Sequence, residues 1–246
     1  MKVGAMSESS LRIVRRFVNP EYLEPEVRAE LHTWHKQGTG GPRTLPGFLR
    51  DDFATALGDA LHALPYWVRY ASVYEGDVRT REVPEEEWDG HPDKAARHYL
   101  IRPMLAAVES PDVPEEHRTV LRQFLAFVVT GPHFLSWVAG VVGDSLEPRT
   151  SFEFTRYGTG DHITPHHDLI PGRALAANFY LDNRYTASAG GRLWFREADG
   201  RDHVTEPEFN SFTMIPIRDG CRHWVEPYTG SEPGRYTANL QIHREY

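Results

Sequence analysis

The sequence predicts an α+β fold, in which a helical first part supports a sheet of short antiparallel strands. The prediction rests on a change of hydrophobic period near residue 150. Before it, apolar residues recur at spacings of three and four; after it, short runs are separated by Gly, Pro, Asn and Asp. No Gly-rich linker divides the parts. We therefore expect one domain over residues 1–246, with 1–149 as mainly helical support and substrate loops and 150–246 as the core.

The helical part is predicted from three segments with apolar residues along one face, 19–38, 50–64 and 114–129. The third begins with a proline and two glutamates, which suit a helix N-terminus. The most apolar stretch, 124–143, is interrupted by Gly-Pro-His and is interpreted as two buried helical pieces. Residues 75–98 are highly charged and contain two prolines, so we expect a solvated loop there.

Short strands are predicted from runs that alternate or are rich in β-branched and aromatic residues. These runs are 150–158, 174–181, 191–197, 211–217, 222–227 and 235–243. Short strands at this spacing favour an antiparallel sandwich or barrel.

Composition bears on location and partners. The formal charge of −8 does not favour nucleic acid, whose phosphates need a basic surface. The single cysteine, Cys221, cannot form a disulfide within the chain, which suits a reducing cytoplasm. No stretch approaches the roughly 18 uncharged apolar residues of a membrane span. We expect a cytoplasmic protein with a small-molecule substrate and no nucleic-acid or membrane partner, either monomeric or a homodimer.

The segment TPHHDLI, residues 164–170, otherwise has the character of a strand. Because side chains alternate along a strand, His166 and Asp168 face one way and His167 faces the other. The first two are separated by about 7 Å of backbone, a distance that one metal ion can bridge. The non-haem iron triad needs a second histidine on the same side.

Three downstream histidines could complete such a site. His203 lies in a polar loop and His243 near the end of the sequence, whereas His223 lies in an alternating run after a glycine turn. The next predicted strand begins with Arg235 and has one polar and one apolar face. Such a strand could line an anion-binding cavity, because a guanidinium donates two parallel hydrogen bonds to a carboxylate.

Four segments occur in a characteristic order: RYGTGDHITPHHD, NFYLDN, AGGRLWF and HWVEPYTGSEPGRYTANLQ. Together they resemble the Fe(II)/2-oxoglutarate-dependent dioxygenases, and within them the prolyl 4-hydroxylase-like branch. The resemblance covers roughly residues 150–243. The order of four segments is far more specific than His-x-Asp alone.

This resemblance implies a distorted double-stranded β-helix of jelly-roll or cupin-like type, buttressed by the N-terminal helices. The implied Fe(II) ligands are His166, Asp168 and His223. The implied residues of the 2-oxoglutarate pocket are Arg235 and Tyr180, which would hold the distal carboxylate, and Tyr157. Candidates for the substrate wall are Asn178, Asn239, Trp194, Trp224 and Arg173.

The implied activity is hydroxylation of an unactivated C–H bond of a small molecule, such as an amino acid or a natural-product intermediate. O2 and 2-oxoglutarate would be co-substrates, succinate and CO2 would be released, and ascorbate could serve as reductant. Asp168 favours hydroxylation, because related halogenases have a small residue at that place. The alternatives are a peptidyl or carrier-bound substrate, desaturation or cyclisation, a zinc-type metallohydrolase, and a non-catalytic β-barrel binding module.

Overall fold

The computed structural model describes residues 6–76, 79–148 and 150–245. The α-helices are α1 Glu8–Val14, α2 Pro25–Lys36, α3 Asp51–Ala63, α4 Glu85–Gly90, α5 Met104–Val108, α6 Glu115–Leu125 and α7 Pro132–Val142. A π-helical turn, Ala126–Thr130, follows α6, and 3-10 turns span Pro20–Leu23 and Ala187–Ala189. The strands are β1 Arg43–Leu45, β2 Trp67–Glu75, β3 Arg79–Glu82, β4 Lys94–Ile101, β5 Ser151–Tyr157, β6 His162–His166, β7 Arg173–Tyr180, β8 Leu193–Arg196, β9 Asp202–Thr205, β10 Ser211–Pro216, β11 Arg222–Val225 and β12 Gly234–His243.

The strands of the described chain form one antiparallel sheet in the order β1-β10-β7-β12-β5-β4-β6-β11-β8-β9, with β2 and β3 attached through β4. This nearly closed arrangement is a distorted double-stranded β-helix, so the predicted fold class is confirmed. Pairing of β6 with β11 and of β12 with β5 and β7 brings distant parts of the sequence together on one inner surface.

The helices cover one face of this sheet through a continuous apolar core. Phe124 of α6 packs edge-on against Phe179 of β7, with ring centroids 5.3 Å apart. Phe179 in turn lies 4.5 Å from Phe212 of β10. These side chains are almost fully buried, and each removes roughly 150–250 Å² of surface from water. The helical half therefore braces the strands from behind and leaves their other face free to form a site.

The predicted helices occur as α2, α3 and α6, and the stretch 124–143 does divide at Gly131. Gly131 has no room for a side chain, since an added Cβ would lie 2.4 Å from the Ala126 carbonyl oxygen. Within the described ranges, no single helix has the length and apolar character needed to cross a membrane. The segments Glu115–Thr130 and Pro132–Val142 meet that test only together, and a bend of 46° separates them.

The predicted solvated loop at 75–98 is wrong for most of its length. Residues 77–78 lie outside the described residues, but the rest contains β3, α4 and the start of β4. β4 is an interior strand that pairs with β2, β5 and β6. The alternating apolar residues of KAARHYLI are buried against the sheet, whereas the charges of β3 point to solvent. The high charge of residues 75–98 led to the prediction of a loop where β4 begins.

All six predicted strands are present, and two details differ. β6 ends at His166, and the amide of Ile170 donates to the carbonyl of Asp168, so the chain turns directly after the His-x-Asp segment. His203 was expected in a loop but lies in β9, which pairs with β8. Asp168 thus reaches its place through a turn and not through continued strand alternation.

Candidate metal centre

Three side chains from separate parts of the sheet converge at the end of β6. His166 stands directly opposite His223 in the β6–β11 pair, and their ring centroids are 4.2 Å apart. Asp168 comes in from the following turn, with Oδ2 3.7 Å from Nε2 of His223. One ligand atom from each residue lies within 4.8 Å of the others. The predicted triad is therefore assembled in the fold with the spacing that a single ion requires.

The ionisation of these groups suits a divalent metal. Burial, followed by the proximity of His166, lowers the pKa of His223 to about 3, so its imidazole is unprotonated. Burial opposes ionisation of Asp168, but nearby His223, His166 and Arg173 outweigh it and lower the pKa of the carboxyl group. Nδ1 of His166 lies 2.9 Å from the carbonyl of Thr164 and must donate to it, which leaves Nε2 for a metal. Two neutral imidazoles and one carboxylate form the donor set of non-haem iron sites.

Arg173 supports the carboxylate of the triad. It begins β7, is buried, and places Nη1 2.5 Å from Oδ1 of Asp168. Its Nη2 donates to Oε1 of Gln241 on β12 at 2.5 Å. One carboxylate oxygen of Asp168 therefore faces the arginine while the other faces His223. Arg173 lines the cavity beside the triad, and it also holds an iron-ligand candidate in place.

A second group of predicted residues converges around Arg235. Its Cζ lies 4.5 Å from the ring of Tyr157 and 5.4 Å from that of Tyr180. All three side chains are at most 2% exposed. Nη2 of Arg235 and the hydroxyl of Tyr180 are buried and have no hydrogen-bond partner among the described residues. Because buried polar groups are nearly always paired, these atoms fit a carboxylate ligand.

An irregularity at the start of β12, of the β-bulge type, sets the direction of the Arg235 side chain. The register between β12 and β5 shifts between Gly234 and Thr237, and Arg235 has a positive φ of 52°. The amide of Arg235 donates to Oδ2 of Asp182 at 2.6 Å, which holds the irregular backbone. The predicted face of β12 survives this bulge, since Nη1 of Arg235 reaches the hydroxyl of Thr237 at 3.3 Å.

A cavity of about 550 Å³ opens beside the triad. His166, Asp168 and Arg173 form its floor, and β2, β4 and β5 contribute the wall residues Tyr70, Tyr74, His98 and Glu153. The turn after Asp168 adds Leu169 and Ile170, which are 41% and 47% exposed. A neighbouring depression of about 650 Å³ shares Tyr74, His166 and His167 with it. A third, of about 640 Å³, lies against Gly234 and Asp182 and contains no member of the triad.

The predicted substrate wall is only partly supported. Trp194 and Trp224 stack on each other, with ring centroids 5.7 Å apart. Trp224 follows His223 on β11, so the two tryptophans face the side of the strand pair opposite to His223. Their place on the other face of the strand pair contradicts the prediction for these two residues. Asn178 and Asn239 are paired across β7 and β12, beside Glu153 of the cavity wall, but do not themselves line the cavity.

Sequence reasoning missed a buried carboxylate, Asp161, that fixes the turn just before β6, the strand that ends at His166. Asp161 is fully buried and accepts from Arg69 at 2.6 Å, from Arg97 at 2.9 Å and from the amide of Gly158. It ties the turn between β5 and β6 to β2 and β4. A Gly-Asp pair in a turn is ordinary, and its partners Arg69 and Arg97 lie on β2 and β4. The sequence did not predict the pairing of β2 with β4 or of β4 with β6.

Comparison with known proteins agrees with this geometry. Residues 152–243 match the family model of the 2OG-Fe(II) oxygenase superfamily. Residues 152–243 therefore form a 2OG-Fe(II) oxygenase domain, a domain of oxidoreductase class. Members of this class use Fe(II), 2-oxoglutarate and O2, so the predicted enzyme class and these cofactors are confirmed.

Several solved structures share the fold. A prolyl-4-hydroxylase from Pseudomonas putida matches with a TM-score of 0.56 and 19% identity over 88% of this chain and 100% of that one. A prolyl hydroxylase from Trichoplax adhaerens, in complex with a hypoxia inducible factor peptide fragment, matches with 0.60 and 14% over 99% and 96%. SnoN, a non-haem α-ketoglutarate-dependent epimerase of nogalamycin biosynthesis, matches with 0.58 and 15% over 89% and 84%. The fold is thus that of the prolyl 4-hydroxylase-like oxygenases.

Proposed function

We propose that this protein hydroxylates an unactivated C–H bond of a small molecule, with Fe(II) on His166, Asp168 and His223 and 2-oxoglutarate on Arg235. The observation that carries the proposal is that one β-helix contains both a set of metal ligands and a separate group of buried polar atoms suited to a carboxylate. One is a metal-ready triad of two imidazoles and a carboxylate. The other is a buried guanidinium beside a buried tyrosine hydroxyl, each with an unpartnered polar atom in the described chain.

The residues of the chain have distinct tasks in this proposal. Fe(II), when bound, supplies the activation of O2. The imidazoles of His166 and His223 and the ionised Asp168 bind the ion, and Arg173 fixes the orientation of the Asp168 carboxylate. Arg235 and Tyr180 bind the distal carboxylate of 2-oxoglutarate, and their burial excludes water from that end of the pocket. A zinc-type hydrolase would leave Arg235 without a task.

A small-molecule substrate is supported by the size and chemistry of the cavity. Its volume of about 550 Å³ lies in the range typical of small-molecule sites. The wall combines the charged Arg79 and Glu153 with the apolar side chains of Leu169 and Ile170. An amino acid or a natural-product intermediate has both kinds of group. The adjoining depression that shares Tyr74 and His166 favours a second candidate, a peptidyl or carrier-bound residue.

The proposal is tested by succinate release. Protein supplied with Fe(II), ascorbate and 2-oxoglutarate should release succinate in the presence of O2 and none without it. Free amino acids and short peptides, compared as additives, should stimulate release differently, and the stronger class identifies the substrate type. Metal analysis and the weak visible band of an Fe(II)–2-oxoglutarate chelate separate this enzyme from a zinc hydrolase. Retained zinc together with O2-independent turnover would contradict the proposal.

Gly191→Ala should weaken 2-oxoglutarate binding about tenfold, because the added methyl group displaces Arg235 and disturbs a charge-assisted contact. A Cβ at Gly191 would lie 2.8 Å from Cδ of Arg235. Gly200→Ala is a matched control, since both glycines have positive φ (72° and 88°) but nothing lies within 4 Å of a Cβ at Gly200. Calorimetric titration with 2-oxoglutarate measures the difference. Equal affinities of the two variants would show that Arg235 does not depend on this close approach.

A further inference from the structure

His98 lies on the inner surface of β4, in line with the Arg235 pocket. It is 6% exposed, and its ring centroid is 5.7 Å from that of Tyr157 at an interplanar angle of 30°. Tyr70 packs against it from β2, 5.0 Å away. Because Tyr157 also carries the guanidinium of Arg235 on its ring, the three side chains form a row across β12, β5 and β4.

One ring nitrogen of His98 is buried without a hydrogen-bond partner in the described part of the chain. Its Nδ1 is inaccessible to solvent and has no hydrogen bond to any described residue, like the Tyr180 hydroxyl and Nη2 of Arg235. A buried donor or acceptor that stays unpaired destabilises the folded state. Nδ1 of His98, the Tyr180 hydroxyl and Nη2 of Arg235 belong to side chains that lie against the ring of Tyr157 or against Arg235, and a molecule bound there would supply their missing partners.

His98 is suited to donate and not to act as a second positive charge. Burial, followed by the charge of Arg235, lowers its pKa to about 3. At neutral pH the ring is uncharged and carries one N–H. Arg235 then remains the cationic partner for a carboxylate, and His98 can add a neutral hydrogen bond beside it.

The position of His98 also connects the two sites. It lines the cavity that contains His166 and Asp168, and it neighbours the ring on which Arg235 rests. His98 therefore borders the cavity of the triad on one side and the ring that contacts Arg235 on the other. We propose that His98 is a further co-substrate-binding residue, whose imidazole donates a hydrogen bond to a carboxylate oxygen of bound 2-oxoglutarate. This inference rests on the proposed function.

Two substitutions separate the hydrogen bond from the packing. His98→Phe keeps a ring against Tyr157 and Tyr70 but removes the N–H, whereas His98→Gln keeps a donor. With Mn(II)-loaded protein, the Kd for 2-oxoglutarate should rise about three- to tenfold in His98→Phe, as for loss of one neutral hydrogen bond, and by less than about twofold in His98→Gln. An unchanged Kd in His98→Phe would overturn the inference.

His35→Phe provides the matched control. His35 on α2 also has a pKa lowered by burial, to about 4, and an unpartnered Nδ1, but it does not line the cavity. Its replacement should leave the Kd for 2-oxoglutarate unchanged, and an effect equal to that of His98→Phe would count against a specific contact.

A measurement on the unaltered chain guards against a variant that does not fold. The imidazole ¹⁵N signal of His98, assigned by its loss in His98→Gln, should shift when 2-oxoglutarate is added, while that of His35 should not. A static His98 signal under saturating 2-oxoglutarate would refute the contact. If the wild-type protein binds no 2-oxoglutarate at all, the proposed function fails; if it binds and His98 is indifferent, only this inference fails.

Discussion

Asp168→Ala should abolish stoichiometric iron binding and lower succinate release by at least about 100-fold. Loss of a mere supporting partner of a metal ligand already costs 10–100-fold, so loss of a ligand should cost more. Asp168 is the single anionic member of the triad, and the two remaining imidazoles offer Fe(II) neither charge compensation nor an oxygen donor. The variant also leaves the buried guanidinium of Arg173 without its carboxylate partner.

The experiment compares metal content after anaerobic equilibration with Fe(II), followed by succinate release. Asp168→Asn keeps the size of the side chain and one oxygen, so it separates loss of the ligand charge from a packing defect near Arg173. Asp202→Ala is the control, because Asp202 is ion-paired with Arg196 at the surface and should retain full metal content. If Asp168→Ala kept one iron per chain with wild-type affinity, the assignment of the triad would be wrong.

The triad was accessible from sequence because its chemistry is concentrated in a few letters. His166 and Asp168 lie two positions apart. His223 lies in an alternating run in which it shares the buried face with Val225. The strand prediction failed only after His166, where the chain turns, and the turn still delivers Asp168 to the same place. A metal site tolerates this error, because the ion requires the atoms to converge and not a particular backbone path.

The walls of the site were not accessible in the same way. Alternation tells which side of a strand a residue occupies, but not which side becomes the cavity. Trp194 and Trp224 therefore looked as suitable as any aromatic residue, although the sheet turns them away from His223. His98 was missed because its strand lies at the end of a charged stretch that was predicted to be a loop. Only the pairing of β4 with β5 places its side chain beside Tyr157. Such contacts depend on tertiary pairing over more than fifty residues.

Arg235→Ala should raise the 2-oxoglutarate requirement by about 10- to 150-fold, the equivalent of roughly 1.5–3 kcal/mol for a charge-assisted hydrogen bond. Arg235 is 2% exposed and lies against the rings of Tyr157 and Tyr180, so its loss removes the charge-assisted partner of the carboxylate from a buried site. The backbone of residue 235 has the same positive φ with arginine or with alanine. The backbone strain at this position is therefore similar in the two proteins. Arg235→Lys keeps the charge but loses the planar fork, and an intermediate value is expected.

The decisive signature is a separation of the two binding steps. Iron content should stay at the wild-type level in Arg235→Ala, because Arg235 is not part of the triad, while the Kd and the KM for 2-oxoglutarate rise together. Arg196→Ala removes an exposed arginine that is paired with Asp202 and should change neither value. Loss of the buried side chain opens a cavity beside Tyr157 and lowers stability, so a thermal melt checks that the variant is folded at the assay temperature. A folded Arg235→Ala protein with unchanged affinity for 2-oxoglutarate would remove the carboxylate pocket from the proposed mechanism and leave the triad as the sole identified part of the site.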